Sequence, residues 1–331
     1  MTHRVACLDV WASAVREVVR RVAPLDFELS FASSYEAEHQ RALAAPAEFL
    51  VPGFAAVDAP MVERAPHLRM VQKWGIGIDA IDQEALRRRG IALGIASGCN
   101  AGPVAELAIA LMLAVNRRIP YTNRALREGR WPTPEMRETC WQITGKTVGL
   151  VGFGHIGRKL ARRLAGFDAH IVYFDPQRAD AAVEAALRAE YRPLDELLAT
   201  SDIVSLHLPL TPRTAKLIDA GSIARMKDGA VLINTARGGL VDEAALYDAL
   251  KSGKLRGAGL DAFDPEPPRA DHPLLTLDQV VVTPHAGGGV FDNVEPVARH
   301  VFGNLERFLR GEALPPGDLV IPARAVQKAA A

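Results

Sequence analysis

Thr147-Val148-Gly149-Leu150-Val151-Gly152-Phe153-Gly154-His155-Ile156-Gly157 is the stretch that decides the fold. Val148–Val151 is a short apolar run of strand length, and helical spacing runs from His155 to Ala165. Between them stands Gly-x-Gly-x-x-Gly, in the one setting where that pattern carries a mechanism: after a strand and at the opening of a helix. Gly152 permits the tight turn. Gly154 lets the backbone approach a pyrophosphate, and Gly157 lets the helix pack closely on the strand. The helix N-terminus adds free N–H groups and a partial positive charge.

The strand His170–Phe174 ends in Asp175, 18 residues past Gly157. A carboxylate there accepts hydrogen bonds from ribose hydroxyls and repels a 2′-phosphate, which favours NAD over NADP. Arg178 argues the other way, because a nearby guanidinium can pair with a 2′-phosphate.

Working outward, strands and helices alternate on both sides of this turn. Val5–Leu8, Phe27–Phe31, Phe49–Val51, Leu68–Trp74 and Ile91–Leu93 read as strands of an earlier unit. Trp11–Val22 and Ala85–Arg89 read as helices between them. A long apolar helix, Pro103–Asn116, follows, and Trp131–Gly145 reads as irregular. Beyond the glycine turn, Ile203–Leu208, Ala230–Asn234, Ala258–Ala262 and Val280–Thr283 read as strands. Ala179–Arg188, Leu194–Ala199 and Asp242–Ser252 read as helices, as does Pro296–Leu309 at the end. Ala323–Ala331 reads as a frayed tail. Such alternation predicts mostly parallel sheets in an α/β protein.

The chain has 331 residues, enough for two domains. Lys plus Arg equals Asp plus Glu at 39 each, so neither nucleic acid nor an anionic membrane is an expected partner. The uncharged apolar run Leu107–Val115 falls far short of the ~20 residues that span a bilayer. No signal-peptide pattern opens the chain. Cys7, Cys99 and Cys140 lie far apart, so neither a disulfide framework nor a zinc site is expected. A soluble, cytoplasmic protein with reduced thiols follows.

In a parallel sheet, chemistry gathers beyond the carboxyl ends of the strands. There the sequence places Thr235-Ala236-Arg237, then Asp261 to Glu266, then Pro284-His285-Ala286-Gly287. Reducing a 2-oxo acid needs a cation for the carboxylate, and arginine grips it with a planar fork. It also needs a proton for the oxygen, and histidine titrates near neutrality. A carboxylate beside a histidine favours the imidazolium; Glu266 is the candidate. Asp261 could fix a nicotinamide amide. Taken singly, each is as readily a surface or loop residue; their joint placement carries the argument.

At these residues the chain resembles the D-isomer-specific 2-hydroxyacid dehydrogenases. The matching stretches are TVGLVGFGHIGRKLA (147–161), LDELLATSDIVSLHLPLTPRT (194–214), MKDGAVLINTARGGLVDEAAL (226–246), GLDAFDPEP (259–267) and VVTPHAGG (281–288). GIGIDAID (75–82) is an earlier match, and the resemblance extends from Met70 to Leu309. It implies two Rossmann-like domains with doubly wound parallel sheets. The substrate domain is discontinuous, 1–100 with 290–331, and 101–289 binds the dinucleotide.

The resemblance implies that Arg237 orients substrate and that Glu266 and His285 form the acid–histidine pair. Cofactor contacts fall on Gly152, Gly154, His155, Ile156, Gly157, Asp175, His207, Pro209, Thr214, Thr235, Ala236, Arg237, Asp261, His285 and Gly287. Substrate contacts fall on Trp74, Gly75, Ile76, Gly77 and Arg237. Trp74 admits two readings, a pocket wall or a core or interface aromatic. The family also implies NAD as cofactor, a small 2-hydroxy or 2-oxo acid as substrate, and a homodimer.

The substrate details diverge. Val51-Pro52-Gly53 stands where the phosphoglycerate dehydrogenase branch has an arginine for the substrate phosphate, which argues against a phosphorylated substrate. Lys73 matches a basic position of that same branch. Formate dehydrogenases place glutamine where Glu266 stands. The reading is a glyoxylate- or hydroxypyruvate-like reductase. Its alternatives are a phosphoglycerate dehydrogenase-like enzyme, an NAD-sensing corepressor-like binding protein, or a phosphonate-oxidising relative.

Overall fold

The structure is a computed structural model that describes residues 2–323. The expected tail therefore lies outside the described residues beyond Ala323. The chain divides into two compact units. One takes the chain up to Asn100 together with the stretch from Val290 onward, and the other is Ala101–Gly289.

In the first unit, β1 (His3–Cys7), β2 (Phe27–Phe31), β3 (Phe49–Val51), β4 (Met70–Gln72) and β5 (Ala92–Gly94) form a parallel sheet in the order 5-4-3-1-2. Leu319–Ile321 adds an antiparallel edge beside β5. This is a doubly wound sheet. Successive residues of each strand face opposite sides. Leu8, Leu50, Val71 and Leu93 pack on Ala44, Met61, Val62 and Leu86. On the other side Val5, Phe49, Val51 and Met70 pack on Val19 and on Val297, Val301 and Phe302. The last three come from the helix Val294–Arg310, so the end of the chain completes this unit's core.

In the second unit, β6 (Thr147–Val151), β7 (His170–Phe174), β8 (Ala189–Tyr191), β9 (Ile203–Leu206), β10 (Ala230–Asn234), β11 (Leu255–Leu260) and β12 (Val280–Val282) are all parallel. Their order is 12-11-10-9-6-7-8. The order reverses between β6 and β9, the switch point at which such sheets bind ligands. Leu150, Tyr173, Val231 and Ile233 pack on one side against the helices Ala101–Asn116 and His155–Leu164. Val151, Leu206, Leu232 and Leu260 pack on the other against Leu197, Ile223 and Leu246.

Trp131–Gly145 corrects the sequence reading. Thr133–Thr139 is a helix with Pro134 in its first turn, where proline's missing N–H costs nothing. Pro60 opens Ala59–Arg64 in the same way, with Asp58 accepting from Met61 N–H. Ala37–Ala44, Ile119–Arg127 and β8 are further elements that the sequence reading did not mark.

Candidate active site

Each predicted residue of the second unit stands at or just past the carboxyl end of a parallel strand or in the loop that follows. The glycine turn follows β6 and Asp175 follows β7. His207 and Pro209 follow β9, with Thr214 further along that loop. Thr235, Ala236 and Arg237 follow β10. Asp261 follows β11, with Glu266 in the loop beyond, and His285 follows β12.

The glycine turn is shaped as its mechanism requires. Gly152 has φ +99°, and a Cβ there would lie 2.4 Å from the His207 carbonyl oxygen. A Cβ on Gly157 would lie 2.4 Å from the Gly152 oxygen, whereas one on Gly154 would meet nothing within 4 Å. The first and third glycines are thus locked by packing, and the second faces open space. His155 and Ile156 begin the helix behind the turn. Asp175 accepts from Phe153 N–H at 2.8 Å and from Gln177 N–H at 2.9 Å, tying the end of β7 to the turn. This cradle fits a dinucleotide pyrophosphate with a ribose beside Asp175.

Further along the edge, His207 Nε2 lies 2.9 Å from Ser205 Oγ. Burial pushes its pKa down to about 3, so the ring is neutral. Its Nδ1 and the Thr235 hydroxyl are buried without a hydrogen-bond partner. Thr214 Oγ1 donates to the Pro209 carbonyl at 2.7 Å and closes that loop.

The catalytic candidates come together. His285 Nδ1 lies 2.8 Å from Glu266 Oε2 and 3.0 Å from Oε1. Phe263 N–H donates to Glu266 Oε1 at 3.0 Å. Burial pushes the Glu266 carboxyl up. The hydrogen bond and charge of His285, the Phe263 N–H and the charge of Arg237 outweigh it and hold the group below the usual carboxylate range. Arg237 and Glu266 therefore share one field.

Two backbone arrangements fix this set. A Cβ on Gly238 would lie 2.0 Å from the Phe263 carbonyl carbon, so the Arg237 loop packs directly on the backbone of the Glu266 loop. His285 has φ +52°, a left-handed conformation uncommon outside glycine. Its N–H donates to the Asp261 carbonyl at 2.8 Å. Asp261, only 1% exposed, accepts from Thr283 Oγ1 at 2.6 Å, Ala286 N–H at 2.8 Å and Gly287 N–H at 2.9 Å. Sequence reasoning gave Asp261 to a ligand and missed this bracing of the histidine turn. The signal was its spacing: an acid ending one strand, with the next strand ending in Thr-Pro-His-Ala-Gly.

In the first unit, Trp74 is half-buried, with its ring 4.8 Å from that of Trp11 at the edge of the core. Its N–H donates to the Pro52 carbonyl at 2.8 Å. Gly75 has φ +124°, its carbonyl accepts from Ala96 N–H, and Ile76 beside Gly77 is exposed. Lys73 is buried and donates to the Gly53 carbonyl. Buried Asp9 accepts from the N–H groups of Gly53, Phe54 and Ala55. This carboxylate frame escaped the sequence reading.

Comparison with known proteins agrees with the geometry. Residues 109–287 match the family described as D-isomer specific 2-hydroxyacid dehydrogenase, NAD binding domain. D-3-phosphoglycerate dehydrogenase of Mycobacterium bovis is 44% identical over 266 residues, 80% of this chain. The match covers 50% of that protein, so the chain spans about half its length. Glyoxylate reductase of Korarchaeum cryptofilum is 42% identical over 262 residues, 78% of each chain. Among solved structures, D-mandelate dehydrogenase of Rhodotorula graminis superposes with a TM-score of 0.83 at 31% identity, covering 97% of this chain and 100% of that one. The chain belongs to the D-isomer specific 2-hydroxyacid dehydrogenases, and residues 109–287 are its NAD-binding domain.

Proposed function

We propose that the protein is an NAD-dependent oxidoreductase that interconverts a small D-2-hydroxy acid and its 2-oxo acid, of the glyoxylate or hydroxypyruvate kind. The observation that carries this reading is the Glu266–His285 pair in the field of Arg237, at the strand ends of an NAD-binding sheet. Arg237 would hold the substrate carboxylate. With Nδ1 of His285 given to Glu266, Nε2 is the atom that donates a proton to the substrate oxygen in reduction and accepts it in oxidation. Bound NADH would supply the hydride. Thr235, Ala236, His207, Pro209, Thr214, Asp261 and Gly287 would line the dinucleotide, and Trp74 to Gly77 the substrate.

Pro52-Gly53, in place of a phosphate-binding arginine, supports an unphosphorylated substrate. Lys73 is buried and donates to the Gly53 carbonyl, so it helps hold the same loop. On the same reading Ala101–Gly289 is the dinucleotide-binding domain and the remainder the substrate domain. The family resemblance supports a homodimer. Three unpaired cysteines fit a cytoplasmic location. No helix among the described residues is long and apolar enough to cross a membrane.

The test is a panel of glyoxylate, hydroxypyruvate, pyruvate, branched 2-oxo acids and 3-phosphohydroxypyruvate, each with NADH and with NADPH. The reading expects turnover of the small unphosphorylated acids with NADH. Inactivity across the panel, or a strong preference for the phosphorylated acid, would overturn it.

A further inference from the structure

Arg178, three residues past Asp175, is the residue through which the sequence left NADP open. The structure shows where its guanidinium goes. Nε donates to Glu184 Oε1 at 2.9 Å and Nη2 to Glu184 Oε2 at 3.0 Å, a fork-to-fork pair. The guanidinium carbon also lies 5.3 Å from the centre of the Tyr191 ring. Glu184 is itself fixed. It sits in the first turn of the helix Ala181–Leu187, where the dipole favours an anion, and Tyr173 OH donates to it at 2.6 Å. Tyr173 stacks at 3.9 Å on Phe153 of the glycine turn, whose N–H donates to Asp175. Asp175, Phe153, Tyr173, Glu184 and Arg178 thus form one connected frame beside the ribose position.

We propose that Glu184 is a positioning residue for cofactor specificity: it binds Arg178 fork-to-fork and so withholds that guanidinium from a 2′-phosphate. Two devices then favour NAD. Asp175 repels the phosphate, and Glu184 occupies the cation that would otherwise receive it. An Asp175 variant alone removes the repulsion and leaves the cation occupied. The inference rests on the NAD-binding reading above.

The experiment measures dissociation constants of NADH and NADPH by fluorescence titration, so no substrate is needed. The variants are E184Q, R178Q, D175N, D175N/E184Q and D175N/E184Q/R178Q. The E184Q substitution retains an acceptor for Tyr173 OH and loses the charge that grips Arg178. Relative to D175N, the double variant should shift the NADPH-to-NADH affinity ratio toward NADPH by roughly tenfold or more, the order of one charge-assisted hydrogen bond. Adding R178Q should abolish that gain, and R178Q alone should leave the wild-type ratio unchanged. An unchanged ratio in D175N/E184Q, or a gain that survives loss of Arg178, would overturn the proposal. If the wild-type chain binds neither nucleotide, the cofactor reading itself fails, and the proposal with it.

Discussion

His285 Nδ1 lies within 3.0 Å of both carboxylate oxygens of Glu266, so a single ring nitrogen addresses the whole anion. That contact fixes which ring nitrogen remains for chemistry. It also helps hold the Glu266 carboxyl below the usual carboxylate range, against the burial that raises it.

Glu266→Gln replaces the carboxylate that meets His285 Nδ1 through both oxygens with an amide that offers only one acceptor. The ring is then held less firmly, so kcat should fall by about 10-fold or more in both directions while NADH affinity changes little. Turnover in both directions and NADH titration check this. Wild-type kcat in both directions would separate the carboxylate from the histidine.

Asp261→Asn leaves too few acceptors for Thr283, Ala286 and Gly287 and turns an amide N–H toward one of those donors. A buried donor left unsatisfied costs about 1–3 kcal/mol. The variant should lose stability of that order in urea unfolding, and kcat should fall because the left-handed turn at His285 loses its brace. Wild-type stability would refute the bracing role.

Gly238→Ala places a methyl group 2.0 Å from the Phe263 carbonyl carbon, too close without backbone movement. Overpacking costs about 1–3 kcal/mol or more. Because the Arg237 and Glu266 loops meet at this point, kcat/KM should drop together with Tm. A neutral outcome in both would contradict the close packing of the two loops.

Glu184 provides a pH test of stability. Arg178, then Tyr173, hold its pKa down from 4.5 to about 2. A depressed carboxylate contributes stability that is present above its unfolded pKa and is lost as pH falls through the folded one. The wild type should therefore lose Tm between about pH 4.5 and about pH 2 more steeply than Glu184→Gln. The difference should be modest, because the Arg178 side chain is 63% exposed. Parallel acid limbs would show that the pair does not act in solution.

Much of this was legible from local pattern. Val148–Val151 and the glycines announced their turn, and the strand end at Asn234 was read directly, whereas the strands read as Ala258–Ala262 and Val280–Thr283 stop earlier, at Leu260 and Val282. Legibility stopped where a role depends on a distant partner. Asp175 could be placed at a strand end, but the capture of Arg178 by Glu184 depends on how the helix Ala181–Leu187 sets Glu184 against Tyr173 of β7. Asp9 directly follows the strand read as Val5–Leu8, yet its carboxylate holds a loop 44 to 46 residues away. The helices Ile119–Arg127 and Thr133–Thr139 carry prolines near their starts and span few turns, so they offer little apolar periodicity to read.

The role of His285 is tested by comparing wild-type and His285→Gln protein in the reduction of a small 2-oxo acid, followed by NADH absorbance, with NADH affinity measured alongside. Turnover should fall by about 10²–10⁴-fold, the usual contribution of a positioned acid–base group, while NADH binding changes little. Turnover equal to wild type would remove His285 from the chemistry.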